Sequence, residues 1–243
     1  MYKIVEKRAL APQIFLMDIE APRVAKSAKP GQFIIIKMDE KGERIPLTIS
    51  DYDALRGTVT IVVQTIGCST KEMEKYEIGD SFSDFVGPLG QASELMSESI
   101  EDLKKKKIVF VAGGLGTAPV YPQVKWLSEQ GIKADVIIGA KAKDYVIMEE
   151  EMKKVAGNVY PCTDDGSYGY KGLVTNKLKE LVQNDGIKYD LVVAIGPMIM
   201  MKFVCKLTEE LGISTIVSMN PIMVDGTGMC GTCRLTVDGE TKF

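Results

Sequence analysis

Between residues 225 and 233 the sequence reads Asp-Gly-Thr-Gly-Met-Cys-Gly-Thr-Cys, a carboxylate followed at fixed intervals by two thiols (D-x4-C-x2-C). Thiolates are the usual ligands of iron–sulfur centres. A cysteine in place of Asp225 would begin the C-x4-C-x2-C set that holds a [2Fe–2S] cluster. A carboxylate is a harder ligand than a thiolate but an allowed one for iron, so Asp225, Cys230 and Cys233 form the candidate metal site. The intervening glycines let a short loop wrap a cluster and aim amide N–H groups at its sulfides. Half of a zinc knuckle, or a redox-active cysteine pair, would use the same C-x-x-C. No fourth ligand is evident before Phe243, since Cys68, Cys162 and Cys205 fall inside other elements.

A second constellation suits phosphate. Val111-Ala112-Gly113-Gly114-Leu115-Gly116-Thr117-Ala118-Pro119 follows an apolar run and opens a helical one. Glycines admit phosphate oxygens to the backbone, and a helix N-terminus offers free N–H groups and the positive end of a dipole. The turn departs from G-x-G-x-x-G because Pro119 takes the third glycine's place, and Gly139-Ala140-Lys141 stands where an acidic ribose ligand is usual. A strand–helix turn without a ligand is the plain alternative. Two later strand ends carry Thr163-Asp164-Asp165-Gly166-Ser167 and Gly196-Pro197-Met198. Ligands of open α/β sheets bind outside the carboxyl ends of strands, so Gly113, Gly114, Gly116, Thr117, Asp164, Asp165, Gly196, Pro197 and Met198 outline a nucleotide crevice. Asp164 or Asp165 accepting from ribose hydroxyls would favour NAD over its 2′-phosphorylated form. Capping of the next turn would use the same aspartates.

Earlier in the chain, Arg44-Ile45-Pro46-Leu47-Thr48-Ile49-Ser50 ends a strand with a guanidinium and two hydroxyls, suited to a diphosphate. Gly67-Cys68-Ser69-Thr70 is another glycine and hydroxyl turn before a helix, where N-capping by Ser69 or Thr70 is the simpler reading. Gly87-Pro88-Leu89-Gly90 closes the series.

The elements that must position these groups fall into two classes. Lys3–Leu10, Gln13–Ile19, Gln32–Lys37, Ile45–Ser50, Thr58–Ile66 and Ser81–Val86 read as short antiparallel strands, with one helix near Thr70–Tyr76. Six strands and a helix predict a small closed barrel, with a sandwich as the alternative. From residue 101 apolar strands alternate with helices: Ile108–Ala112, Ala134–Gly139, Val159–Cys162, Leu191–Ile195 and Thr215–Met219, with helices at Ala118–Gln130, Ile147–Val155, Leu173–Gln183 and Met198–Leu211. That rhythm predicts a Rossmann-like parallel sheet covered on both faces. The expected fold is thus a β domain (1–100), an α/β nucleotide domain (101–220) and a short iron–sulfur module (221–243). Lys104–Lys107 reads as a solvated linker.

Composition narrows the chemistry. With 30 basic and 33 acidic residues the net charge is −3, no footprint for nucleic acid or an anionic membrane. No apolar run approaches the ~20 residues that span a bilayer, and the N-terminus lacks a signal peptide's apolar centre, so the expected location is the cytoplasm. Histidine is absent from all 243 positions. That removes the commonest general base and most catalytic zinc sites, leaving chemistry carried by a cofactor.

The order R-x-P-x-T-x-S, G-x-S-T, G-P-x-G, G-G-x-G-x-A-P resembles the ferredoxin–NADP reductase superfamily over residues 1–220. The resemblance implies FAD bound by Arg44, Pro46, Leu47, Thr48, Ser50, Gly67, Ser69 and Thr70, and NAD(P) at the later glycine turn. Plant-type members often carry a tyrosine where Pro46 stands. With Asp225 in the first ligand position, the tail resembles the small subunits of NADH-dependent reduced ferredoxin:NADP oxidoreductases and sulfide dehydrogenases. The electron-transfer subunit of dihydroorotate dehydrogenase, normally with four cysteines, is the near alternative, and a non-enzymatic flavin or nucleotide sensor the more distant one. The resemblance also implies hydride transfer from nicotinamide to flavin, then single electrons leaving through a [2Fe–2S] centre. The expected partner is a larger iron–sulfur flavoprotein subunit, with ferredoxin reached through it.

Overall fold

Strands dominate the first ninety residues because Val, Ile, Phe and Thr recur there in short runs between Gly, Pro and Asp. The computed structural model describes residues 2–219, 222–237 and 239–242. The chain divides into two units, one of residues 1–8, 15–92 and 219–243, the other of residues 9–14 and 93–218.

The strands β1 (Tyr2–Ala11), β2 (Ile14–Glu20), β3 (Phe33–Lys37), β4 (Arg44–Asp53), β5 (Thr58–Gln64), β6 (Ser81–Phe82) and β7 (Asp84–Leu89), all but residues 9–11 and 14 in the first unit, form one sheet in the order β6-β1-β2-β5-β4-β3-β7. The seventh strand arises because the expected run 81–86 is broken at Ser83. Phe82 pairs with Tyr2 of β1, whereas Asp84 pairs with Lys37 of β3. The two outermost strands are therefore joined by one residue, and the sheet curls into a nearly closed barrel. Its interior holds Ile4, Met17, Ile19, Ile34, Ile36, Ile49, Ile61 and Phe82. Two short helices accompany it, α1 (Pro22–Ser27) and α2 (Cys68–Glu74). α1 has six residues, too few for helical periodicity to be read, and its signal was only Pro22 in the first turn. The tail adds a small antiparallel hairpin, β14 (Leu235–Val237) with β15 (Glu240–Lys242).

The second unit carries a parallel sheet of β8 (Ile108–Gly113), β9 (Asp135–Ala140), β10 (Val159–Thr163), β11 (Tyr170–Lys171), β12 (Leu191–Ile195) and β13 (Ser214–Val217), ordered β11-β10-β9-β8-β12-β13. Continuous apolar strands are required because both faces are covered. Ile108, Phe110 and Ala112 join one core, while Val109 and Val111 join the other. The main helices are α4 (Thr117–Glu129), α5 (Glu149–Val155), α6 (Val174–Gln183) and α7 (Met198–Leu211).

Lys104 and Lys105 are not a linker. They form the last turn of α3 (Ile100–Lys105), whose N-cap Ser99 accepts from the Asp102 amide at 3.1 Å, and Lys105 pairs with Asp102 at 2.8 Å. The S-x-x-D spacing signals such a cap, but six residues give no periodicity. A buried polar knot ties β9 down: the Tyr189 hydroxyl donates to Asp135 at 2.8 Å, and the Asn158 amide and side chain donate to the other carboxylate oxygen at 2.9 Å each. Tyr189→Phe should lower unfolding free energy by about 1–2 kcal/mol in urea titration, because it removes one donor from a buried carboxylate.

Candidate functional site

Sheet order reverses at β8. The chain runs from β8 to β9, β10 and β11 on one side, then returns to place β12 and β13 on the other. The carboxyl ends of β8 and β12 are the place where such sheets receive ligands. Here they meet backbone to backbone. A Cβ on Gly196 would stand 3.0 Å from the Cα and N of Gly113, and one on Gly113 would stand 2.9 Å from the Pro197 ring. A Cβ on Gly116 would overlap the Ile195 carbonyl. Met200, in the first turn of α7, fills the space under both Gly113 and Gly196. Its packing role was unread in the sequence, where the only signal was small residues at both strand ends. Gly114 differs, since it has φ +54° and nothing lies within 4 Å of the position a Cβ would take. This cradle of two touching strand ends, with one open glycine before α4, fits a dinucleotide's diphosphate. Thr117 is buried and its hydroxyl donates to the Gly114 carbonyl at 3.0 Å, so it braces the turn. Pro197 and Met198 are exposed where α7 begins.

The loop after β10 separates the two aspartates. Asp165 accepts from the Ser167 amide at 2.9 Å and its hydroxyl at 2.7 Å, and the Ser167 hydroxyl foremost holds its carboxyl below the usual range. Asp164 is exposed; its amide donates to the Ala140 carbonyl of β9 at 3.0 Å, which fixes its backbone at the strand end.

On the barrel, β4 lies opposite β3 in antiparallel register, with Arg44 against Lys37, Pro46 against Ile35 and Thr48 against Phe33. Alternation places Arg44, Pro46, Thr48 and Ser50 on one face. Ile45, Leu47 and Ile49 face the barrel core, so Leu47 has only its backbone to offer a ligand on the motif face. A register shift between Ile49 and Asp51 follows at the buried Ser50. The Arg44 guanidinium is half exposed, 3.6 Å from the Asp84 carboxylate. At the second turn a Cβ on Gly67 would meet nothing within 4 Å. The Thr70 hydroxyl accepts from the amides of Ile66 and Gly67 at 3.0 and 3.1 Å, and so serves as the cap. The Ser69 hydroxyl donates to Glu43 at 2.5 Å. A cation, a hydroxyl and an unobstructed glycine suit a flavin nucleotide's diphosphate, provided Glu43 gives up Ser69.

The tail carries its donors on one loop. Among the described residues no three His, Cys, Asp or Glu side chains stand together as a metal-holding group. The carboxylate of Asp225 accepts from the Thr227 amide at 2.7 Å, the Thr227 hydroxyl at 3.1 Å and the Cys230 amide at 3.1 Å. Those bonds, the Thr227 amide foremost, hold its carboxyl below the usual range. Cys230 is exposed and Cys233 half-buried, neither in a disulfide. The Thr232 hydroxyl pulls the Cys230 thiol down. The donor types suit an iron–sulfur group, but Asp225 is turned into its own loop. It must leave the Thr227 and Cys230 amides to reach a metal. Burial pushes the Cys162 thiol up to about 12. Cys162 should therefore be inert to iodoacetamide at pH 8, where about one thiol in ten thousand would be ionised, while Cys230 is alkylated; peptide mass spectrometry reads both.

The oxidoreductase NAD-binding domain family matches residues 110–206, from β8 into α7. A Clostridium beijerinckii protein, described only by its place in the adh 3′ region, is 66% identical over 100% of this chain and 82% of its own length. A Thermotoga maritima homologue of the dihydroorotate dehydrogenase B (NAD+) electron transfer subunit is 44% identical over 99% of this chain and 82% of its own length. Among solved structures, a chain of the NADH-dependent reduced ferredoxin–NADP oxidoreductase, studied for flavin-based electron bifurcation, superposes with a TM-score of 0.89. It is 42% identical and covers 100% of this chain and 84% of its own. Among the described residues no helix is long and apolar enough to cross a membrane.

Proposed function

This chain belongs to the family of dihydroorotate dehydrogenase B electron-transfer subunits, and we propose that it is the FAD- and [2Fe–2S]-bearing, nicotinamide-dependent subunit of a larger electron-transfer complex. The observation that carries the reading is the likeness to the ferredoxin–NADP oxidoreductase chain over every part of this one, tail included. FAD bound here would supply hydride acceptance from reduced nicotinamide and one-electron release. The protein's own groups bind and orient. Amides at the start of α4, approached through Gly114, receive the dinucleotide diphosphate, and Asp164 accepts from ribose hydroxyls. Arg44, Ser69 and Gly67 hold the flavin diphosphate, while Pro46, Thr48 and Ser50 present the barrel face to the flavin. Cys230 and Cys233, with Asp225 released from its loop, hold the cluster. A catalytic base is not required, which agrees with the absence of histidine.

Full-length likeness to the oxidoreductase chain favours a larger iron–sulfur flavoprotein as the partner, with ferredoxin reached through it. The relatives' names favour the second reading, a dihydroorotate dehydrogenase. Isolation of the native complex separates the two, because a co-purifying dihydroorotate dehydrogenase overturns the first. A preparation without flavin or iron that cannot be reconstituted, or that holds flavin and fails to bleach with NADH, defeats both.

Nucleotide preference is assigned to Asp164, because Asp165 is already hydrogen-bonded to Ser167. Asp164→Asn should raise the KM for NADH about tenfold, the loss of one charge-assisted hydrogen bond. The handicap against NADPH should shrink, because the 2′-phosphate no longer meets a carboxylate. Asp165→Asn should change KM less. Equal effects on both dinucleotides would remove Asp164 from the ribose site.

A further inference from the structure

Ile35 is 2% exposed yet lies outside the barrel's interior cluster. Its neighbours Ile34 and Ile36 point inward, so alternation turns Ile35 and Phe33 outward. Something covers them, and it includes the tail. A Cβ on Gly226 would stand 2.6 Å from the Ile35 side chain and 3.2 Å from the Phe33 ring. The opposite edge of that ring meets Gly90, where a Cβ would stand 2.8 Å away. Phe33 thus lies between two glycine backbones, one from the end of β7 and one next to Asp225.

In antiparallel sheets directly opposed residues share a face. Ile35 is opposed to Pro46 and Phe33 to Thr48. The residues that seat the tail and the residues of the R-x-P-x-T-x-S motif therefore stand on one surface, one strand apart.

We propose that Phe33 and Ile35 are positioning residues that seat the cysteine-bearing loop 225–233, through Gly226, on the barrel face that carries the flavin motif. The placement of a flavin there rests on the proposed function; the seat itself rests on the packing alone. A flavin held on β4 would then lie one strand from the cysteine loop, with β3 between them. Only a residue without a side chain lets the loop lie this close, and the φ of +70° at Gly226 adds a second reason for glycine.

The test uses the full chain as purified, with hydrogen–deuterium exchange read on the peptide 225–233. A Phe33→Ala/Ile35→Ala double variant should speed exchange there at least about fivefold, as local opening free energy falls. Exchange in β10 should stay unchanged. Gly226→Asn tolerates the left-handed backbone and leaves the barrel intact, so it should give the same result. In the loaded protein Gly226→Asn should bleach flavin with NADH at the wild-type rate, while the cluster's paramagnetic signal appears about tenfold later at equal iron content. Unchanged exchange over 225–233 in Gly226→Asn overturns the seat. So does an unchanged onset of the signal with faster exchange, because the loop would then be held without serving electron passage. A wild-type flavin that NADH does not bleach counts against the proposed function and leaves the exchange result to decide the seat.

Discussion

Replacing Arg44 with alanine should empty the flavin site and leave the barrel folded. The guanidinium is 52% exposed, and its ion pair to Asp84 is long at 3.6 Å and itself open to water. Such pairs contribute about 0–1 kcal/mol, so thermal stability without flavin should shift little. Toward a diphosphate the same side chain offers forked, charge-assisted donors, and losing them should weaken FAD binding about 30- to 100-fold. Desalted Arg44→Ala protein should be colourless where the parent stays yellow, and excess FAD should restore NADH oxidation. Arg44→Lys should recover part of the affinity, because a point charge replaces a fork. Yellow Arg44→Ala protein with parental affinity would move the flavin diphosphate elsewhere.

The nucleotide turn offers a contrast between two glycines two residues apart. Gly116→Val should unfold the second unit or destabilise it by about 3 kcal/mol or more, since its Cβ alone would overlap the Ile195 carbonyl where β8 and β12 meet. Gly114→Ala has open space, and its cost is a strained backbone at φ +54°, about 1–2 kcal/mol. If dinucleotide approaches through Gly114, that substitution should raise the KM for NADH at least about tenfold while the melting temperature moves only a few degrees. A Gly114→Ala enzyme with parental KM would mean that the turn is only a strand–helix connection.

Much of the fold was legible because it is local. The apolar runs at 108–112 and 191–195, short and rich in Val and Ile, read as buried strands and are, and the α4 and α7 boundaries fell within a residue of expectation. The turn at 113–117 announced itself by glycine spacing. What escaped depended on partners distant in sequence. Nothing within 81–89 reveals that Phe82 and Asp84 bond to different strands. One local choice escaped as well: either aspartate suited the next turn, and Asp165 takes Ser167 two residues on. Leu47 looked like part of a binding motif, but strand alternation turns its side chain to the core. Nothing in the strand 32–37 reveals that Gly226, far along the chain, packs on Ile35.

The single residue between β6 and β7 has a mechanical consequence. Because Ser83 alone links the two margins of the sheet, the circumference of the barrel is limited by covalent chain, at about 3.8 Å per residue, as well as by hydrogen bonds. The Ser83 amide donates to the Lys37 and Met38 carbonyls at 3.0 and 3.2 Å, which pins that link to the end of β3. Thermal breathing of the seam is thereby confined, and the spacing of Arg44, Pro46 and Thr48 one strand away is held on a hoop of fixed length.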